Sequence, residues 1–156
     1  VDFANKSNIP TLVDPKKRNF MNYKNVTLFK PNFKELVEGS KIDIQKGDFD
    51  GIFAASQKLK NELGCKYQLI TLSELGVFIS YNNSYKTIPA EIRDIADVSG
   101  AGDTLISTAS LCLAANLEPE LIAGISNLAG GLVCEKVGVV PINKELLLKE
   151  TLEKYS

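Results

Sequence analysis

The stretch 97–103, DVSGAGD, places two glycines and a terminal aspartate directly before a run of almost uncharged residues. If Ser99 or Gly100 caps a helix that runs on from about Ala101, the first amide N–H groups of that helix lack partners and lie at the positive end of its dipole. The glycines let an anion approach this backbone closely. The arrangement suits a phosphate group, and an ionised Asp103 beside it can take a proton from an attacking hydroxyl.

The same residues fit a plainer interpretation. Gly100 and Gly102 could make only a tight turn, with Asp103 as an ordinary acidic residue that complements the dipole. Local chemistry alone leaves both open. A P-loop is excluded because the chain contains no GxxxxGK[ST], and an NAD-binding oxidoreductase is disfavoured because Leu105 stands where a dinucleotide fingerprint needs its third glycine.

Composition narrows the chemistry further. The chain contains no histidine, which excludes Ser-His-Asp triads and HExxH zinc sites, so acid–base chemistry falls to a carboxylate, Lys, Tyr or Cys. Its 18 basic and 19 acidic residues create no net field for a polyanion, which disfavours nucleic acid binding. No apolar run approaches the ~18 residues of a membrane span, and no signal pattern is present. We therefore expect a cytoplasmic protein.

Length and composition predict a single domain over residues 1–156, because 44% of the residues are hydrophobic and 24% are charged. The three cysteines have no CxxC spacing and are expected to be reduced core thiols. Met21 is the only methionine, so residue 1 is not an initiator, and residues 1–10 resemble the end of a helix. We expect a piece of a longer protein, with exposed apolar surface that could support a homo-oligomer.

Strands and helices are predicted to alternate along the chain. This pattern is typical of an α/β layer structure with a largely parallel sheet, here with a hairpin late in the sequence. Predicted strands cover 11–13, 26–30, 67–72, 76–80 and 84–88, and predicted helices cover 51–63, 101–116, 118–135 and a last helix capped by Asn143 that runs to about Lys154.

The DVSGAGD stretch resembles the D-x-x-G-A-G-D signature of the ribokinase-like (PfkB) carbohydrate kinases. Blocks at 12–16, 27–35 and 70–76 are similar to one subgroup, the bacterial heptose-phosphate kinases that also form the first half of bifunctional ADP-heptose synthases. The resemblance covers nearly the whole chain, but only about the C-terminal half of a family kinase. It implies a ribokinase-like three-layer α/β/α fold, present as a C-terminal partial domain.

The resemblance also implies roles for particular residues. Asp103 matches the catalytic base of the family, and the backbone of Gly100, Ala101 and Gly102 matches its anion hole. Asn32 and Glu35 match its N-x-x-E element, which arranges Mg²⁺, through water, and the ATP phosphates. Without the resemblance, these two residues would be read as a simple capping box at the start of a helix.

A second segment matches the nucleotide contacts of the family at Thr71, Ser73, Glu74 and Gly76. Many members have glycine in place of Ser73, whereas the heptose kinases carry serine and glutamate there. A plain turn between two strands is the alternative for this segment. In the family the adenine lies beside the helix that contains Asn127, which makes this residue a candidate for lining that pocket. Tight helix–sheet packing around the glycines of this helix is the alternative, and the sequence favours it.

One position departs from the family pattern. Members often carry threonine or serine after the glycine that matches Gly138, in a loop associated with a monovalent cation, but this chain has Val139. The departure weakens the case for potassium activation, which leaves Asp97 and Ser99 as contributors to such a site.

Together with the local chemistry at 97–103, the resemblance implies ATP-dependent phosphorylation of a sugar hydroxyl, with heptose 7-phosphate accepting at its anomeric position. The implied cofactors are ATP and Mg²⁺, and the implied partners are the small phosphorylated sugar and the N-terminal half of the kinase. The isolated chain is expected to be inactive. The alternatives are another PfkB sugar or nucleoside kinase and a non-catalytic nucleotide-binding or interaction module.

Overall fold

The computed structural model describes residues 1–155. The chain divides into two compact units, one formed by Val1–Ile88 and one that begins at Pro89. Within residues 1–155, no helix combines the length and the apolar character that crossing a membrane requires.

The first unit contains a five-stranded sheet whose strands lie side by side in chain order. The first three strands are parallel, and the last two pairings are antiparallel. The sheet is therefore mixed, with the parallel part confined to its first half. The strands are β1 Leu12–Val13, β2 Leu28–Phe29, β3 Tyr67–Thr71, β4 Val77–Tyr81 and β5 Ser84–Ile88.

Three α-helices accompany this sheet: α1 Asp2–Lys6, α2 Phe33–Ser40 and α3 Phe49–Leu63. Two short 3-10 helices, Lys17–Asn22 and Ser73–Leu75, lie in the same unit. The α3 helix starts two residues before its predicted beginning, because the Asp48 side chain accepts a hydrogen bond from the Gly51 N–H at 3.0 Å and caps it. It ends at Leu63, as predicted, and the residue after it, Gly64, adopts a left-handed φ of 70° as the C-cap.

One hydrophobic core holds α2 and α3 to the sheet. Leu59 of α3, Phe29 of β2 and Ile70 of β3 are fully buried in it. Each such side chain contributes about 1.5–3 kcal/mol relative to exposure. The core therefore fixes the carboxyl ends of β2 and β3, where several predicted site residues stand.

The second unit consists of three helices, α4 Ala101–Ala114, α5 Pro119–Cys134 and α6 Lys144–Tyr155. Gly124 of α5 faces α6 so closely that a Cβ atom built there would lie 2.2 Å from the Tyr155 hydroxyl oxygen. The close packing predicted for this glycine is present, and its partner is α6. All three cysteines are free and buried, as predicted.

A charged contact ties the segment before α4 to the other two helices. The Arg93 guanidinium donates to Glu135 at 2.7 Å and also to Glu150 of α6. The side chain of Arg93 is only 11% exposed. Because Arg93 contacts both Glu135 and Glu150, these two ion pairs hold the segment before the DVSGAGD stretch against the end of α5 and against α6.

Candidate functional site

The start of α4 leaves backbone N–H groups available. Gly100 is the N-cap residue in a left-handed conformation with φ of 78°, and no side chain within residues 1–155 caps the helix. The Ala101 N–H donates to the Val98 carbonyl at 3.3 Å, and the Thr104 N–H donates to the Gly100 carbonyl at 2.9 Å. Gly102 and Asp103 lie between Ala101 and Thr104, and their amide N–H groups have no acceptor in the described chain. They form the positive end of the helix.

The Asp103 side chain stands on this first turn. Its residue is exposed, and among the described residues no hydrogen bond or ion pair engages its carboxylate. A carboxylate beside open amide groups is placed to take a proton from a hydroxyl that attacks a bound anion.

Asp97 has the opposite environment. One carboxylate oxygen accepts from the Ser99 amide at 2.9 Å and from the Ser99 hydroxyl at 2.8 Å, and the other accepts from the Gly138 amide at 3.0 Å. The Ser99 hydroxyl, followed by these amides, lowers the pKa of Asp97. Asp97 therefore holds the turn before α4 against the loop that follows α5.

Further backbone contacts fix the same turn. The Cys134 carbonyl accepts from the amides of Ala96 at 2.8 Å and Asp97 at 3.1 Å. A Cβ atom at Gly100 would lie 3.1 Å from a methyl group of Val139. Glycine is favoured at position 100 chiefly by its positive φ, and a side chain there would also press on Val139.

In the first unit, the ends of two parallel strands bring Asn32 and Thr71 together. The Thr71 amide donates to the Pro31 carbonyl at 3.2 Å, and Asn32 and Thr71 form an isolated parallel bridge. Ligands of open α/β sheets bind outside the carboxyl ends of the strands. This edge is the region of the first unit best placed for a ligand.

Asn32 and Glu35 form a complete capping box at the start of α2. The Glu35 amide donates to the Asn32 side-chain oxygen at 2.9 Å, and the Asn32 amide donates to the Glu35 carboxylate at 2.8 Å. The capping alternative is therefore present in the structure, and the Mg²⁺ role stays a prediction. No cluster of three or more metal-ligating side chains exists within residues 1–155.

One carboxylate and one amide still fit a cation that keeps most of its waters. Mg²⁺ dehydrates reluctantly and binds through one or two carboxylates together with phosphate oxygens. Asn32 is exposed and Glu35 is half-buried, so water can reach both. The donor set suits contact through water.

The segment after β3 is a tight turn with unusual backbone angles. Ser73 has φ of 55°, and Gly76 combines φ of 85° with ψ of −131°. The Gly76 amide donates to the Ser73 carbonyl at 2.9 Å, and the Leu72 amide donates to the Gly76 carbonyl at 2.8 Å. The positive φ of Ser73 explains why glycine suits this position in many kinases that the sequence resembles.

Two lysines, Lys46 and Lys30, lie near the predicted site residues of the first unit, and the sequence analysis did not predict either of them. Lys46 donates to both carboxylate oxygens of Glu74, at 2.9 and 2.8 Å, across 28 positions of chain. Lys30, which directly precedes Pro31, is 3% exposed and pairs with Asp14 at 3.2 Å. Lysine is rarely buried unless paired, so this pair is a fixed feature of the sheet edge.

Asn127 lies on α5 and is half-buried. Its side-chain amide donates to the Pro89 carbonyl at 2.9 Å, which fixes the beginning of the second unit. Its place beside a nucleotide stays a prediction.

The predicted site residues thus form two groups, one in each unit. The first unit contains Asn32, Glu35, Thr71, Ser73, Glu74 and Gly76, and the second contains Gly100, Ala101, Gly102, Asp103 and Asn127.

Comparison with known sequences identifies relatives over most of the chain. The family described as pfkB family carbohydrate kinase matches residues 2–145. The bifunctional protein HldE of Koribacter versatilis is 38% identical over 148 residues, which are 95% of this chain and 30% of that protein. The HldE protein of Campylobacter curvus is 41% identical over 135 residues, or 86% of this chain and 28% of the relative. The chain therefore spans about 30% of the length of these curated relatives.

Solved structures show the same fold at lower identity. Phosphofructokinase-2 from Escherichia coli in complex with potassium superposes with a TM-score of 0.85 at 21% identity, covering 97% of this chain and 50% of that one. Ribokinase from Arabidopsis thaliana, complexed with ribose and ATP, gives a TM-score of 0.80 at 20% identity and covers 97% and 49%. The predicted ribokinase-like α/β fold is confirmed, as a part of the domain seen in those proteins.

Proposed function

Because the chain belongs to the pfkB family of carbohydrate kinases, we propose that it is the nucleotide-binding and catalytic-base half of an ATP-dependent sugar kinase. The acceptor is a sugar hydroxyl, and the remaining part of the complete protein supplies the sugar-binding residues. The isolated chain is accordingly inactive.

The open start of α4 carries this proposal. The amides of Gly102 and Asp103 have no acceptor, and the exposed Asp103 carboxylate stands on the same turn. Fixed N–H dipoles of this kind stabilise the charge that develops on a transferring phosphoryl group. Asp103 then accepts the proton of the sugar hydroxyl as that oxygen attacks.

The first unit contributes the nucleotide contacts in this proposal. Thr71 and the turn 73–76 contact ATP, and Asn127 of the second unit lies beside the adenine. Asn32 and Glu35 orient the waters of Mg²⁺, and the ion supplies charge neutralisation for the phosphates when bound.

The acceptor proposed is the anomeric hydroxyl of heptose 7-phosphate. Two points support it: Ser73 and Glu74 resemble the heptose-phosphate kinases at these positions, and the chain is 35–41% identical to proteins named HldE. Phosphofructokinase-2 and ribokinase share only the fold, at 20–21% identity, and so do not favour their own sugars here.

The test uses a complete protein that carries this chain, assayed with heptose 7-phosphate, fructose 6-phosphate and ribose. We expect the highest kcat/KM with the heptose.

Asp103→Asn should lower kcat by about a hundredfold or more, as loss of a general base does, while the Kd for ATP changes less than about twofold, within the spread of a surface substitution. Asp94→Asn, at another exposed aspartate of the same unit, is the control and should leave kcat unchanged. A loss below about tenfold in Asp103→Asn with ATP binding intact would refute the base assignment.

A further inference from the structure

The loop 44–48, which precedes α3, lies next to the turn 73–76, which follows β3. Ile44, which is 8% exposed, anchors the loop in the core. The Asp48 amide donates to the Gln45 carbonyl at 3.1 Å and closes a turn around Lys46 and Gly47. Gly47 has φ of 98°, which only this residue type adopts without strain.

One residue of this loop reaches the turn 73–76. Lys46 binds both carboxylate oxygens of Glu74, at 2.9 and 2.8 Å. The contact with Lys46 is also the main reason why the pKa of Glu74 is lowered. The loop and the turn therefore meet through this ion pair.

The Lys46–Glu74 pair adds a side-chain contact to a turn whose backbone is strained at Ser73. Ser73 has a positive φ without being glycine. Residues other than glycine keep a left-handed conformation only where the surrounding structure stabilises it. Glu74, in the middle of the turn, is held from outside by Lys46, and this contact opposes relaxation of Ser73.

The pair also has an electrostatic consequence. Glu74 is 70% exposed in its side chain, and without Lys46 its negative charge would face solvent alone. A triphosphate that approached an unpaired carboxylate would be repelled. Lys46 cancels that charge beside the segment proposed to contact ATP.

We propose that Lys46 is a positioning residue for nucleotide binding, acting through Glu74 on the turn 73–76. The inference rests on the proposed function, because it takes that turn as a nucleotide contact. Lys46 itself is not a catalytic residue, so its loss affects binding of ATP and leaves the chemical step intact.

The test is Lys46→Met in the complete protein, with the Kd for Mg·ATP measured by titration calorimetry and kcat by sugar turnover. We expect Kd to rise about threefold at low ionic strength, the scale of an exposed ion pair, and the effect to shrink at high salt. The KM for the sugar and kcat should stay within about twofold, within the spread of a surface substitution. Lys46→Arg should retain ATP binding. Lys17→Met, which removes the exposed Lys17–Glu38 pair of 3.1 Å in the same unit, should leave the Kd for ATP unchanged.

A double-mutant cycle separates the charge effect from a general loss of structure. Lys46→Met should weaken ATP binding far less in a Glu74→Gln background, because the charge that Lys46 offsets is then absent. Unchanged ATP binding in Lys46→Met, or equal weakening by Lys17→Met, would overturn the inference alone. A wild-type protein that binds Mg·ATP but phosphorylates no sugar would overturn only the kinase assignment, and one that binds no nucleotide would overturn both.

Discussion

Asp97 and Asp103 begin and end the same short stretch, yet their surroundings assign them different roles. Asp97 accepts hydrogen bonds from Ser99 and Gly138 through both carboxylate oxygens. Asp103 has no such partner in the described chain. The first carboxylate therefore shapes the turn, and the second is available for chemistry.

Asp97→Asn tests the structural role through its pH dependence. Since the pKa of Asp97 is lowered in the folded protein, its ionised form contributes stability that is complete above the unfolded pKa of about 4 and is lost as pH falls through the lowered folded value. Denaturant unfolding from pH 2 to 7 should show wild type more stable than Asp97→Asn by a constant amount above about pH 5, with the difference shrinking at lower pH. Asp94→Asn, at an exposed aspartate of the same unit, is the matched control. A stability difference between wild type and Asp97→Asn that stayed the same from pH 2 to 7 would contradict this role.

Residue chemistry was readable from the sequence only where it was local. The helix start at Gly100, with Asp103 in its first turn, could be predicted because a glycine-rich helix start has a recognisable spacing, and the chemistry assigned to it stays a prediction. Lys46 and Lys30 were missed because their partners, Glu74 and Asp14, are distant in sequence and meet them only through the fold. The bridge between Asn32 and Thr71 depends in the same way on parallel strand pairing.

At the scale of elements, α2 combines a structural and a proposed chemical role in one pair of residues. Asn32 and Glu35 cap the helix through two reciprocal hydrogen bonds. Capping boxes accept Glu or Gln at the third helical position. Glutamine at position 35 can therefore keep the cap, while it removes the negative charge that Mg²⁺ would need.

Glu35→Gln separates these two roles. We expect the free energy of unfolding to change by less than about 0.5 kcal/mol, while the Mg²⁺ concentration for half-maximal activity rises roughly tenfold, as for loss of a partner that orients metal-bound water. Asp48→Asn at the cap of α3 is the matched control, because asparagine also caps and the charge is removed. An unchanged Mg²⁺ requirement in Glu35→Gln would leave Asn32 and Glu35 with the capping role alone.

The predicted elements agree with the structure most closely where their boundaries are set by local signals. The strand 84–88 is found at Ser84–Ile88, and the helix after Asn143 runs over Lys144–Tyr155, where the Asn143 side chain accepts from the Leu146 amide at 2.8 Å. The two first strands are shorter than predicted, because each pairs over only two positions. The antiparallel pairing of β3 with β4 follows from their short connection, which cannot cross over to a parallel strand.

At the scale of the whole molecule, the chain spans about 30% of its curated relatives and about half of the solved kinases it resembles. The sequence could indicate this from its family motifs, because they correspond to the second half of a kinase. It could not supply the sugar-binding residues, since those are proposed to lie in the rest of the complete protein. The site residues that the chain does carry belong to both of its units.

The most direct test is a crystal structure of the complete protein with a non-hydrolysable ATP analogue, Mg²⁺ and the sugar. We predict a terminal phosphate oxygen about 2.7–3.2 Å from the amide nitrogen of Gly102 or Asp103, at hydrogen-bond distance. The Asp103 carboxylate should lie within roughly 3 Å of the acceptor hydroxyl. A terminal phosphate bound away from the start of α4, or an Asp103 side chain directed away from the sugar, would contradict the account.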